Sequence, residues 1–182
     1  ADGSWGSDIA KCVIPMQTLD GAEYDRKTGQ GEIQWTGYLA GNGFKLKKTL
    51  DSWDEQWGQG DAFGTFVEND GGSGNITVPE AGIYTVTLNT AKHELKVEKY
   101  DGSAPVYSGM AISGSFNEWG DTEMTACSAG WENHDWYITH TFAAGDEVKI
   151  KQAGSWDFNK GGSFVNYSEG MYVYGESGGA NL

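Results

Sequence analysis

The sequence predicts an all-β protein made of two tandem immunoglobulin-like β-sandwich modules, residues 1–101 and 102–182. Three observations lead there. The chain carries 28 Gly with 8 Trp, 9 Tyr and 7 Phe, the composition of aromatic-rich strands joined by many turns. No stretch long enough for a helix repeats apolar side chains at i, i+3, i+4 and i+7, the spacing an amphipathic helix needs. The two halves of the chain also align as two copies of one pattern.

The copies match element by element. Residues 32–39 read as a strand ending at Ala40 and Gly41, and residues 135–142 read as its copy, ending at Ala144 and Gly145. Phe44, Lys45, Leu46 and Lys47 then alternate apolar and basic side chains, as do Val148, Lys149, Ile150 and Lys151. Such alternation predicts a strand with its apolar residues on the core and its lysines on the opposite face. Lys47 and Lys151 read as solvated partners for the many carboxylates. Both runs lead to Ser-Trp-Asp, at Ser52, Trp53 and Asp54 and at Ser155, Trp156 and Asp157. A Gly-rich loop follows in each copy: Gly72, Ser73, Gly74, Asn75 and Ile76, then Gly178, Gly179, Ala180, Asn181 and Leu182. The first copy continues into alternating strands at 83–88 and 94–97, and the second opens with a strand at 106–113. Their joint is the turn-forming run 100–105. The pattern reads as clipped at both ends, by about one strand before Ala1 and about two after Leu182. Clipping would leave exposed sheet edges, and a second module that is marginal or borrows a neighbouring strand.

A formal net charge of −14 repels phosphate backbones and argues against a nucleic-acid partner. No apolar run approaches the ~18 residues of a membrane-spanning helix. Cys12 and Cys127 lie far apart with no disulfide or metal-ligand spacing, so both read as ordinary thiols. His93, His134 and His140 form no cluster, and His140 falls within an alternating strand. Asp61, Glu68, Asn69 and Asp70 do not follow a calcium-loop pattern and read as solvated charge. No metal or cofactor is expected. A glycosidase needs two carboxyl groups about 5–5.5 or 6.5–9.5 Å apart across a cleft. The repeat shares only Asp54 and Asp157 near the tryptophans, and these read as turn caps. No enzyme is expected either.

A family likeness rests on particular residues. They are Gly114, Ser115, Phe116, Asn117, Glu118 and Trp119, then Val148, Lys149 and Ile150, then Gly154, Ser155, Trp156 and Asp157, with the closing Gly178 to Leu182 loop. The stretch 78–86 joins them. Together they resemble the outer-membrane starch-binding lipoproteins of the SusE/SusF type, related in pattern to the glycogen-binding module of AMP-activated kinase. The resemblance spans nearly the whole chain. It implies carbohydrate-binding modules without catalysis, exposed at the cell surface and anchored in the outer membrane by a lipid outside these residues. It also implies a glycan-uptake transporter and surface glycosidases as partners. Four positions would make each ligand site: Trp119, Lys149, Trp156 and Asn181 in the second module, and Trp5, Lys45, Trp53 and Asn75 in the first. The first module departs from the pattern, because no Phe-Asn pair precedes Trp5 and one more residue separates Lys45 from Trp53.

These residue types suit a sugar. A pyranose offers C–H groups on its faces, which stack on the negative π-face of an indole. Two indoles set at an angle form an arc that fits a curved α-1,4-glucan better than a flat chain. A lysine donates hydrogen bonds to the hydroxyl rim, and an Asn amide both donates and accepts. Each contact contributes on the order of 1 kcal/mol, so one site is weak and two on one chain gain by multivalency. Trp35 and Trp136 read as core residues of their strands. Trp57 and Lys160 share one offset and either extend the platform or pack the loop, and Trp131, in a turn, has no assigned role. The alternative function is a structural or adhesive spacer without a glycan site, in which Trp53 and Trp156 would be buried.

Overall fold

A computed structural model describes residues 5, 16–18, 23–25, 27–49, 52–62, 64–103, 106–127, 131, 134–167 and 170–182, with 163–167 and 170–176 by backbone alone. The chain is all-β, with no α-helix among the described residues. It divides into two compact units, residues 1–103 with 128–131, and residues 104–127 with 132–182. The expected boundary after residue 101 thus lies after 103, and a short stretch of the second copy groups with the first unit. Within that unit Trp131 meets Tyr100 edge-on, their ring centroids 6.0 Å apart.

The first unit contains β1 (Tyr24–Asp25), β2 (Gln30–Leu39), β3 (Leu46–Lys47), β4 (Gln56–Gln59), β5 (Phe66–Glu68), β6 (Gly82–Asn89) and β7 (Glu94–Lys99). They form two antiparallel sheets, β1-β2-β6-β7 and β3-β4-β5. Alternation in β6 and β7 aims Tyr84, Val86, Leu88, Leu95 and Val97 inward, where they join Leu39, Ile76 and Val78 in one buried cluster. Phe44, Leu46, Trp57 and Phe66 pack on that cluster from the other sheet, which makes the unit a β-sandwich. Trp35 packs there too, as expected of a core strand residue, although its Nε1 makes no hydrogen bond.

The second unit contains β8 (Met110–Gly114), a 3-10 turn (Ser115–Asn117), β9 (Thr122–Glu123), β10 (Thr125–Ala126), β11 (Trp136–Tyr137), β12 (Val148–Gln152), β13 (Asn159–Tyr167) and β14 (Gly170–Ser177). Its sheets are β14-β13-β12-β8-β9 and the pair β10-β11. Among its described residues the buried apolar ones are Met110, Ala111, Ile112 and Cys127. Trp136 is half-buried, with its Nε1 unbonded. Cys12 lies outside the described residues.

The repeat extends to register. Leu46 opposes Trp57 and Lys47 opposes Gln56, while Ile150 opposes Lys160 and Lys151 opposes Asn159. Phe44 and Ile76 exchange both backbone hydrogen bonds, as do Val148 and Leu182. Gln59 N–H donates to Gly74 O, and Gly162 N–H donates to Ala180 O. Gly58 and Gly161 admit the Gly-rich loop in both units. A Cβ on Gly58 would sit 2.1 Å from Ser73 Oγ, and one on Gly161 only 2.0 Å from Ala180 O.

One expected strand differs. Residues 135–142 were to copy residues 32–39, yet only Trp136 and Tyr137 are in a strand. β2 is held by β6 along its length, from Glu32 opposite Asn89 to Leu39 opposite Gly82. Among the described residues no such partner lies along 138–142, and alternation without a partner does not hold a strand. His140, expected as a satisfied strand residue, is exposed within this stretch.

Candidate functional site

The site in the second unit begins with a turn that presents Trp119. Asn117 Oδ1 accepts from Gly114 N–H at 2.8 Å, and its Nδ2 donates to Gly120 O at 2.9 Å and Thr122 Oγ1 at 3.0 Å. That clamp carries the chain through left-handed backbone at Glu118 (φ 55°) and Trp119 (φ 62°). Two successive non-glycine residues at positive φ are held only where surrounding bonds impose it. The outcome is an indole directed at Trp156, with centroids 6.3 Å apart and planes tilted by 49°.

The first unit repeats this pair from a different local sequence. Trp5 and Trp53 lie 6.1 Å apart at 57°. All four indoles are open to solvent, with exposures of 46% for Trp5, 38% for Trp53, 37% for Trp119 and 45% for Trp156. Each Ser-Trp-Asp segment turns alike: Ser52 Oγ accepts from Asp54 N–H at 3.0 Å, and Ser155 Oγ from Asp157 N–H at 3.1 Å. The serine, not the aspartate carboxylate expected from the sequence, makes this turn, because its short hydroxyl reaches the amide two residues on.

An amide three residues after the second Trp locks each platform, a position the sequence reading overlooked. Gln56 Nε2 donates to Trp53 O at 2.8 Å, while its Oε1 accepts from Lys45 Nζ at 3.1 Å. Asn159 Nδ2 donates to Trp156 O at 3.0 Å, while its Oδ1 accepts from Lys149 Nζ at 3.3 Å. The expected site lysines therefore sit beside the platforms through this amide. Lys45 also donates to Ser73 Oγ at 3.1 Å, whereas the loop of the second unit has Gly179 at the matching place. The recurrence of an amide at the same offset from Trp in both copies was the signal available in the sequence.

The next lysine in each strand lies over the indole. Lys47 Nζ is 4.6 Å from the Trp53 ring and Lys151 Nζ is 5.0 Å from that of Trp156, both within cation–π range. These lysines were expected in solvent. Lys151 instead is 2% exposed and ion-paired with Asp121. Asp121 Oδ2 also accepts from Gly154 N–H at 2.7 Å, which ties the turn leading to Trp156. The hydrogen bond from Lys151, and then that from Gly154, hold the Asp121 carboxyl below its ordinary pKa.

The remaining candidates contact groups other than the indoles. Asn181 Nδ2 donates to Glu147 Oε2 at 3.0 Å, and Asn75 is exposed against Gly43. Trp57 packs on the core and donates Nε1–H to Glu68 at 2.7 Å, so it supports the sandwich. Lys160 donates to Ser177 Oγ at 2.6 Å and lies 5.7 Å from the Phe158 ring. Glu68 additionally contacts His93 Nδ1 at 2.9 Å, and Asn69 Oδ1 and Asp70 Oδ1 accept backbone N–H groups. Their oxygens are engaged in turns and strands, and among the described residues no group of three or more His, Cys, Asp or Glu is placed to hold a metal. Comparison of the chain with protein-family models, curated proteins and solved structures gives no match.

Proposed function

We propose that this chain is a non-catalytic glycan-binding protein that holds a polysaccharide, a starch-like α-glucan first of all, on its two tilted tryptophan pairs. One observation carries the reading. The same exposed, angled pair occurs in both units, each locked by an amide and flanked by lysines, though the segments leading to Trp5 and Trp119 differ. Tilts of 57° and 49° suit a curved chain, whose successive sugar faces turn relative to one another. Lys45, Lys149, Asn75 and Asn181 supply donors and acceptors for the hydroxyl rim, and none of these contacts needs a proton transfer or a metal. Solvent-open indoles favour this over the spacer reading, in which Trp53 and Trp156 would be core. The likeness to starch-binding lipoproteins adds a setting: capture at the outer-membrane surface through a lipid anchor, beside an uptake transporter and surface glycosidases.

Isothermal titration with maltoheptaose tests it, on the wild-type chain and on Trp53→Ala, Trp156→Ala and the double variant. Weak binding that falls in each single variant and vanishes in the double is expected. No heat from wild type would end the α-glucan assignment, and undiminished binding by the double variant would end the platform.

A further inference from the structure

In the second unit one side chain joins the two segments that carry the paired indoles. Asp121 follows Trp119 by two residues and immediately precedes β9, which is bonded to β8. Its Oδ1 accepts from Lys151 Nζ, and its Oδ2 accepts from Gly154 N–H at 2.7 Å. Lys151 lies over the Trp156 ring, and Gly154, at φ 75°, begins the turn that presents Trp156. A single carboxylate therefore ties the segment of Trp119 to both the cation and the turn that seat Trp156. Because Lys151 is 2% exposed, parting the pair would leave an ammonium out of water, which keeps the link made.

The first unit reaches a similar pair geometry from other residues. Trp5 has Ser7 at the offset where Trp119 has Asp121, Lys47 is half-buried where Lys151 is buried, and the run from Lys45 to Trp53 is one residue longer than that from Lys149 to Trp156. An indole pair already held at its working tilt gives up less freedom when a ligand settles on it, so more of the contact energy shows as affinity. Building on the glycan-binding reading, we infer that Asp121 is a positioning residue that fixes Trp119 and Trp156 relative to each other and makes the second unit the tighter of the two glycan sites.

Two measurements on the full chain test this. Maltoheptaose is titrated into Trp53→Ala, which keeps the second site, and into Trp156→Ala, which keeps the first; the second site should have a Kd lower by about 10-fold. Asp121→Asn in the Trp53→Ala chain keeps the size of the side chain, removes its charge and should raise that Kd by about 10-fold. Hydrogen exchange of amides 110–114 reports whether β8 stays folded. If the single substitution unfolds the unit, Asp121→Asn with Lys151→Met strands no buried charge and should weaken binding likewise. In the ligand-free chain, Asp121→Asn should shift or broaden the indole Nε1–H resonances of Trp119 and Trp156 and leave those of Trp5 and Trp53 in place. Equal affinities of the two single-site chains would overturn the inference. So would a folded Asp121 variant that binds as before, or one whose Trp119 and Trp156 resonances do not move. Wild-type silence toward maltoheptaose would instead end the glycan reading and the ranking with it, while the ligand-free resonances would still decide whether Asp121 positions the pair.

Discussion

Residues 32–39 and 135–142 are copies, yet β2 runs the full length of the first while β11 covers two residues of the second. Gly82–Asn89 bonds to β2 and fills the core beneath it, and among the described residues of the second unit no such neighbour lies along 138–142. The tryptophan pairs do not share this inequality: their separations differ by little and their tilts are close. Each pair is set by β3 or β12 and the turn after it, together with Trp5 or Trp119. The pair geometry is thus alike in two units whose sandwiches differ.

The largest expected effect falls in the second unit alone. Asp121→Ala strands the buried Lys151 ammonium and should destabilise that unit by about 3 kcal/mol, the range for breaking a buried ion pair. Chemical denaturation followed through tryptophan emission reads this, and a change below 1 kcal/mol would mean that Lys151 relaxes to water. Next comes the contrast between matched positions. Leu39→Ala should cost about 2.5 kcal/mol as a core truncation, whereas Phe142→Ala should cost less, about 1 kcal/mol, because its ring is 45% exposed and held mainly by Phe116 and His140. Equal losses would show that the 138–142 edge is packed after all.

The repeat was legible because both copies keep marks that packing demands: alternation in the strands, and glycine at 58 and 161 where the next loop crosses closely. The Gly161→Ala and Gly58→Ala variants sharpen that point. The first forces a Cβ against the rigid carbonyl of Ala180 and should cost about 2 kcal/mol, and the second meets the movable Ser73 side chain first and should cost less. Thermal melts of both variants give the order. The tryptophan positions were legible through the resemblance, even though Trp53 follows Lys45 by eight positions and Trp156 follows Lys149 by seven. Asp121 left no trace, because its partner is 30 residues away and no spacing rule links them. The failure of the strand at 138–142 escaped the sequence because alternation records which face is apolar, not whether a neighbour is present.

The smallest expected effect is acid sensitivity in the second platform. Asp121 has a lowered folded pKa, so its contribution is full above the unfolded carboxylate value of about 3.9 and is lost as pH falls through the folded value below it. Trp156 emission should therefore hold steady down to about pH 4 and change beneath it, and Asp121→Asn should abolish that step.

The most direct measurement is an NMR titration of the indole Nε1–H resonances with maltoheptaose. Trp5, Trp53, Trp119 and Trp156 should shift together, while Trp35 and Trp57, which pack on the first unit's core, and the half-buried Trp136 should stay in place. Saturating ligand that leaves the first four unmoved, or that moves the latter three instead, would contradict the glycan-platform account.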